Sequence, residues 1–194
     1  MQLLKDRILK QGQNLGNGIL KVDRFINHQV DPNLMDACGL EFARLFATLG
    51  AEKILTAEIS GIAPAIMAGK YLGIPVVYAR KSKPVTMPSE VYLTVAPSHT
   101  KGIMTELIVS PEYLGRDEKI LIIDDFLASG ATIAGLVRLA QTAGARVVGI
   151  GTLVEKTFEK GRQLLTYLGV PIHSLVSICN MDDGQIIFTD EYEA

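Results

Sequence analysis

The chain has 194 residues, 48% of them apolar, and a formal charge of −2. One domain of about 100–200 residues accounts for that length, so a single domain over 1–194 with its own core is expected. A near-neutral charge leaves no basic footprint for nucleic acid. The longest apolar runs are broken by charges before the ~18 residues needed to span a bilayer. The opening MQLLKDRILKQG mixes charges with leucines and is not a secretory signal. A soluble, cytoplasmic protein is therefore expected, without membrane or nucleic-acid partners. The two cysteines, Cys38 and Cys179, lie far apart without metal-ligand spacing and read as buried apolar side chains.

Leu3, Leu4, Ile8 and Leu9 predict a short amphipathic helix over 2–10. Residues 19–30 alternate loosely and read as extended or irregular. Asp31-Pro32 supplies a cap followed by proline at the first helical position. Leu34, Cys38, Phe42, Leu45 and Leu49 then mark a helical face that Gly50 stops. A strand at 53–57, a helix at 63–72 ended by Gly73 and a strand at 74–79 follow. The polar stretch 80–98 carries three prolines. Leu93–Val95 and Ile103–Val109 could pair as a hairpin. Residues 119–123 form an apolar run suited to a buried parallel strand. A helix at 131–143, a strand at 146–154, a helix at 161–168 and strands at 171–178 and 185–189 complete the chain. This alternation predicts an α/β fold with a doubly wound parallel sheet. In such sheets ligands bind beyond the carboxyl ends of the strands, just after 57, 79, 123 and 154.

The segment after 123 carries the strongest chemistry. Asp124 and Asp125 close an apolar strand, and ionised carboxylates accept hydrogen bonds from paired hydroxyls such as those of ribose. Ala128, Ser129, Gly130 and Ala131 have little bulk, so backbone N–H groups can approach an anion. The first turn of the following helix presents unpaired N–H groups and a positive dipole end, and Ser129 and Thr132 add hydroxyls. A Walker loop is excluded because no Gly-Lys-Ser/Thr triplet is present, and no Gly-x-Gly-x-x-Gly follows a strand. Ser60 and Gly61 form a second turn suited to an anion, although a helix cap explains Ser60 equally well. Arg80-Lys81 ends another strand, where two cations could neutralise a pyrophosphate. Lys156 ends the strand at 146–154 and could donate to a carbonyl. His28, His99 and His173 have no motif partner.

The run from Ile122 to Thr132, IIDDFLASGAT, resembles the signature of the type I phosphoribosyltransferases, which bind phosphoribosyl pyrophosphate (PRPP). The resemblance extends to ILKVDRFINHQVDP at 19–32, SGIAPAIMAGKYLGIPVVYARK at 60–81 and GIGTLVEKTFEKGR at 149–162, which point to the branch that takes xanthine. It implies a small hood mainly from 1–35 and 155–194, and a mobile lid at about 82–100. It implies transfer of 5-phosphoribosyl from PRPP to xanthine in purine salvage, releasing pyrophosphate. Asp124 and Asp125 would hold the ribose, and Ala128 to Thr132 the 5′-phosphate. Ser60 and Gly61 would form the pyrophosphate loop, where the family often has a non-proline cis peptide. Arg80 and Lys81 would act on pyrophosphate, within one chain or across a dimer interface. Mg²⁺ is expected with PRPP near Asp124 and Asp125, and the chain is expected to be a homodimer. Leu20, Asn27 and Lys156 would hold the purine, with the nearby backbone or Phe158 against the ring. Other readings are transfer to hypoxanthine, guanine or adenine, a non-catalytic PRPP-sensing regulator, and a generic nucleotide-binding module. The regulator would need a DNA-binding segment, and none is visible.

Overall fold

The computed structural model describes residues 1–97 and 104–189. The N-terminal helix α1 (Gln2–Gln11) is followed by two short strands, β1 (Gln13–Asn14) and β2 (Leu20–Lys21), and a π-helical turn at Asp23–Asn27. Then come α2 (Pro32–Phe46), β3 (Lys53–Ala57), α3 (Ile62–Leu72) and β4 (Val76–Ala79). A hairpin of β5 (Tyr92–Pro97) and β6 (Met104–Val109) precedes β7 (Lys119–Leu127), α4 (Ala131–Thr142) and β8 (Arg146–Lys156). The chain closes with α5 (Gly161–Leu165), β9 (Ile172–Asn180) and β10 (Ile187–Phe188).

The main sheet has the order β10-β9-β8-β7-β3-β4. All its pairings are parallel except that of β10, which runs antiparallel to β9 at one edge. From β3 the chain crosses through α3 to β4 in one direction; from β7 it crosses through α4 to β8 in the other. β3 and β7 are neighbours, so the winding reverses between them, which is where such sheets open a ligand crevice.

Both faces of the sheet are covered, and this explains the continuous apolar run in β7. Leu121 and Ile123 pack with α1, α2 and α3 through Ile8, Phe42, Phe46 and Ala68. Ile120 and Ile122 face the other way, toward Leu136, Val137 and Ala140 of α4 and Leu107 of the hairpin. The Cys38 thiol is buried in the first layer, and burial pushes its pKa up to about 12, so it stays a neutral apolar group. Cys179, near the end of β9, is only half-buried and donates to the Ile187 carbonyl at 3.4 Å.

The elements match the sequence pattern in order and type, and differ at their ends. β7 and β8 do not stop at 123 and 154; Phe126 pairs with Val154 and Leu127 with Glu155. Interior strands keep their ladder beyond the last apolar side chain, so the carboxylates sit inside a strand. The segment 19–30 resolves into β2 and the π-turn, with Phe25 and Ile26 buried. The second helix gives way at Ala47–Leu49 to a 3-10 turn before Gly50, and the helix at 161–168 is likewise α-helical only to Leu165. The predicted hairpin spans β5 and β6, with its tip, His99 and part of the 82–100 segment outside the described residues.

The N- and C-terminal segments lean on one another. The Asn14 amide donates to the carbonyls of Met181 (2.6 Å) and Gln185 (2.9 Å). Asp31 caps α2 by accepting from Asn33 N at 3.0 Å and Leu34 N at 3.1 Å, and its other oxygen meets Arg7 of α1. Among the described residues no helix is long and apolar enough to cross a membrane. Replacing the cap, Asp31→Ala, is expected to cost about 1 kcal/mol of unfolding free energy, read as a lower urea midpoint with an unchanged slope.

Candidate active site

A cavity of about 320 Å³ opens over the carboxyl ends of β3 and β7. Each wall comes from a different part of the chain. Glu58 to Gly61 follow β3, Asp124 to Phe126 end β7, and Ala128 to Ile133 run into α4. Lys81 stands beyond β4, Lys156 ends β8, and Ile19, Leu20 and Asn27 close the mouth from the N-terminal segment.

Asp124 is buried within β7, and Asp125 is half-buried. Asp124 accepts from the Asp125 N–H at 3.0 Å, and Asp125 from the Phe126 N–H at 2.9 Å. Burial pushes the Asp124 carboxyl well above the usual carboxylate range; the charge of Asp125 adds to the shift and Lys81 partly opposes it. Burial also raises Asp125, against the donors around it, among them the Phe126 N–H and the Ser60 hydroxyl. The fold thus holds two adjacent carboxyls in a place that disfavours their charge.

The loop after β3 is pressed against this pair. A Cβ on Gly61 would stand 2.3 Å from Thr56 Oγ1 and 2.5 Å from Asp124 Oδ1, so only glycine fits. The Glu58–Ile59 peptide is cis. Glu58 accepts from the Lys81 N–H at 2.6 Å, tying this loop to the end of β4.

The loop after β7 makes an anion cradle. Gly130 takes φ 78° and caps α4 without a side-chain hydrogen bond, so the first-turn N–H groups are left for a ligand. Its shape is fixed by Gly161 at the start of α5. Gly161 N donates to Ala128 O at 3.0 Å, and a Cβ there would fall 2.1 Å from the same oxygen.

At the opposite end, the buried Lys156 ammonium lies 3.4 Å from Glu159 Oε1 and 5.5 Å from the centre of the Phe126 ring. Leu20, Asn27, Phe126 and Lys156 share this part of the cavity wall. Phe126, not Phe158, supplies the aromatic face. The apolar pattern ends at Ile123, so Phe126 reads as a loop residue, although it stands within the signature. Phe158 is 38% exposed and packs toward Gly18 instead.

Of the residues singled out in the sequence, Leu20, Asn27, Ser60, Gly61, Lys81, Asp124, Asp125, Ala128 to Thr132 and Lys156 all line this one cavity. Arg80 does not. Its backbone pairs with Ile108, and its side chain lines a second cavity of about 390 Å³ with Tyr78, Met87 and Tyr113. There the Arg80 Nε is buried without a hydrogen-bond partner, 4.0 Å from Glu58 Oε2.

Comparison with known proteins agrees with this geometry. Residues 43–167 match the model of the phosphoribosyl transferase domain. The chain belongs to the phosphoribosyltransferase family. Among curated relatives, the xanthine phosphoribosyltransferase of Latilactobacillus sakei is 46% identical, over 98% of each chain. That of Listeria monocytogenes serotype 4b is 47% identical over 98% of this chain and 100% of its own, and that of Leuconostoc mesenteroides 48% over 97% and 100%. Among solved structures, the adenine phosphoribosyltransferase of Giardia lamblia complexed with 9-deazaadenine superposes with a TM-score of 0.75 at 20% identity, over 91% of this chain and 98% of that one. The Trypanosoma brucei enzyme in complex with AMP, pyrophosphate and ribose-5-phosphate gives 0.74 at 19% identity, over 90% and 79%. These likenesses establish a type I phosphoribosyltransferase fold.

The raised carboxyls give a prediction with a definite sign. Groups whose folded pKa lies above the unfolded value of about 4 favour the fold when protonated, and lose that contribution as pH rises through the folded value. Raising the pH above the unfolded value therefore works progressively against folding of the ligand-free chain. Asp124→Asn with Asp125→Asn is expected to melt above the wild type at pH 7–8, the gap narrowing as pH falls toward about 4. Thermal melts across that range check it.

Proposed function

We propose that this chain transfers the 5-phosphoribosyl group of PRPP to xanthine, giving xanthosine 5′-monophosphate and pyrophosphate. The observation that carries the reading is one cavity with an acid pair at its floor, a helix-borne anion cradle on one side and a base-sized apolar and cationic end on the other. The relatives' names supply the base.

The bond to be made joins a purine nitrogen to C1′ of the ribose, and the bond to be broken joins C1′ to the pyrophosphate oxygen. Positive charge develops on the sugar as the pyrophosphate departs. Catalysis is then mainly positioning and charge stabilisation. Ala128 to Thr132 bind the 5′-phosphate through backbone N–H groups and the Ser129 and Thr132 hydroxyls. Asp124 and Asp125 accept from the ribose 2′- and 3′-hydroxyls and set their negative charge beneath the sugar. Ser60 and Gly61 cradle the pyrophosphate, and Lys81 neutralises it. Leu20 packs on the base, Phe126 offers it an aromatic face, Lys156 donates to a purine carbonyl, and Asn27 reads the 2-oxo edge. A hood from the N- and C-terminal segments and a lid at about 82–100 exclude water, the competing nucleophile.

Two carboxylates held in a charge-disfavouring place next to a pyrophosphate loop suit Mg²⁺, which prefers carboxylate and phosphate oxygens. Among the described residues no cluster of three or more His, Cys, Asp or Glu could hold a metal unaided, so the substrate's oxygens would complete the set. When bound, the ion supplies charge neutralisation of the leaving group.

With Arg80 turned into the second cavity, its action on pyrophosphate requires a neighbouring copy, in keeping with a homodimer. A cytoplasmic location accords with this salvage role.

Purified protein with PRPP and Mg²⁺ is expected to form nucleotide from xanthine in preference to guanine or hypoxanthine, measured side by side with labelled bases. Preference for another base would overturn the assignment of xanthine, and no nucleotide from any base would overturn the reaction. Mixing Arg80→Ala with the Asp124→Asn/Asp125→Asn variant after co-refolding is expected to recover activity that neither shows alone. No recovery would overturn the action of Arg80 across the interface.

A further inference from the structure

The segment 155–162 carries one residue of the base end and one of the phosphate end. Lys156 stands in the cavity at its beginning, and Gly161 braces the phosphate loop near its close. The two ends of this segment are joined directly. The buried Glu155 carboxylate accepts from Arg162 Nε at 2.8 Å through one oxygen and from Arg162 Nη2 through the other. Such a fork-to-fork pair fixes direction as well as distance.

The pair is itself anchored on two strands. Ser174 of β9 donates to Glu155 Oε2 at 2.9 Å and lies 2.9 Å from the Thr152 hydroxyl of β8. Arg162 Nη1 donates to the Ile172 carbonyl at 2.8 Å. Neither Glu155 nor Arg162 lines the cavity. Each is the immediate neighbour of a residue that shapes the site. Glu155 precedes Lys156 and is paired across the ladder with Leu127, the residue before the phosphate loop. Arg162 follows Gly161, whose backbone is in contact with Ala128, Ser129 and Gly130.

Resting on the proposed reaction, we infer that Glu155 and Arg162 are positioning residues that set the span between the purine subsite and the 5′-phosphate subsite. Releasing the pair lets Gly161 retreat from the loop and Lys156 shift with the end of β8. Both substrates are then held less well, although the pair touches neither.

The test is a comparison of Michaelis constants. Arg162→Lys keeps a cation but loses the fork. Glu155→Gln with Arg162→Met leaves no unpaired buried charge and serves where the first variant does not fold. Both are expected to raise KM for PRPP and KM for xanthine together, each on the order of tenfold, since a displacement of about 1 Å can cost up to ~100-fold in rate. Thr132→Ala is expected to move chiefly the PRPP value and Asn27→Ala chiefly the xanthine value. A purely structural pair would lower the melting temperature and leave both constants alone. Folded variants with both constants within about twofold of wild type, or with only one raised, overturn the inference while the wild type still makes nucleotide. A wild type that makes none overturns the functional reading and the inference with it.

Discussion

Two successive carboxyls, Asp124 and Asp125, stand in an interior strand where the winding of the sheet reverses. Burial opposes the ionisation of both, the charge of Asp125 further opposes that of Asp124, and the surrounding structure is shaped by their presence. Gly61 is bare because a side chain would strike Asp124. The loop after β3 is drawn close by Glu58 and the Lys81 N–H, bringing the Lys81 residue toward the acids. A core built for stability alone would place apolar side chains at these strand ends. Their presence accords with the proposed reading, in which a sugar and a cation would be bound there, and the stability forgone without ligand is the familiar cost of a site organised in advance.

Much of this was written into local sequence. The apolar run at 119–123 requires two covered faces, and Ile120 and Ile122 pack against α4 while Leu121 and Ile123 pack against the other helices. Gly130 has the left-handed backbone that a small-residue turn before a helix calls for. The family resemblance added the residues proposed to hold the purine, which no periodicity reveals: Leu20 and Asn27 sit on a two-residue strand and a π-turn. What stayed hidden depends on contacts distant in sequence. Gly161 looks like an ordinary helix-start glycine until Ala128 O is found against it. Arg162 looks like a solvated cation until Glu155 and Ile172 are seen as its partners. Arg80 stands two residues after the exposed Tyr78 of the edge strand, and adjacency to Lys81 could not tell which of the two turns inward.

The fold is shared with adenine phosphoribosyltransferases at 18–23% identity, and that likeness carries no information on the base. The reason is visible in how the cavity is assembled. The acid pair and anion cradle come from the central strands and the helix that follows them, elements that define the architecture. At the other end of the cavity Phe126 and Lys156 still belong to strands of the sheet, whereas Leu20 and Asn27 come from chain outside that frame. Leu20 and Asn27 lie in the N-terminal segment, which docks on the C-terminal one through Asn14 and buries Phe25 and Ile26 in the core. A few side chains there can be exchanged without disturbing the sheet.

Polar discrimination at such a place can be large, because a base lacking the matching group strands a desolvated donor or acceptor. Lys156 is the residue most exposed to that logic. It is buried, its ion-pair partner Glu159 is 3.4 Å away, and its ammonium lies 5.5 Å from the centre of the Phe126 ring. A carbonyl oxygen at the purine edge would complete its hydrogen bonding, whereas an amino group would set donor against donor. On the proposed reading, an ammonium placed to meet an oxopurine at the end of β8 would work against adenine.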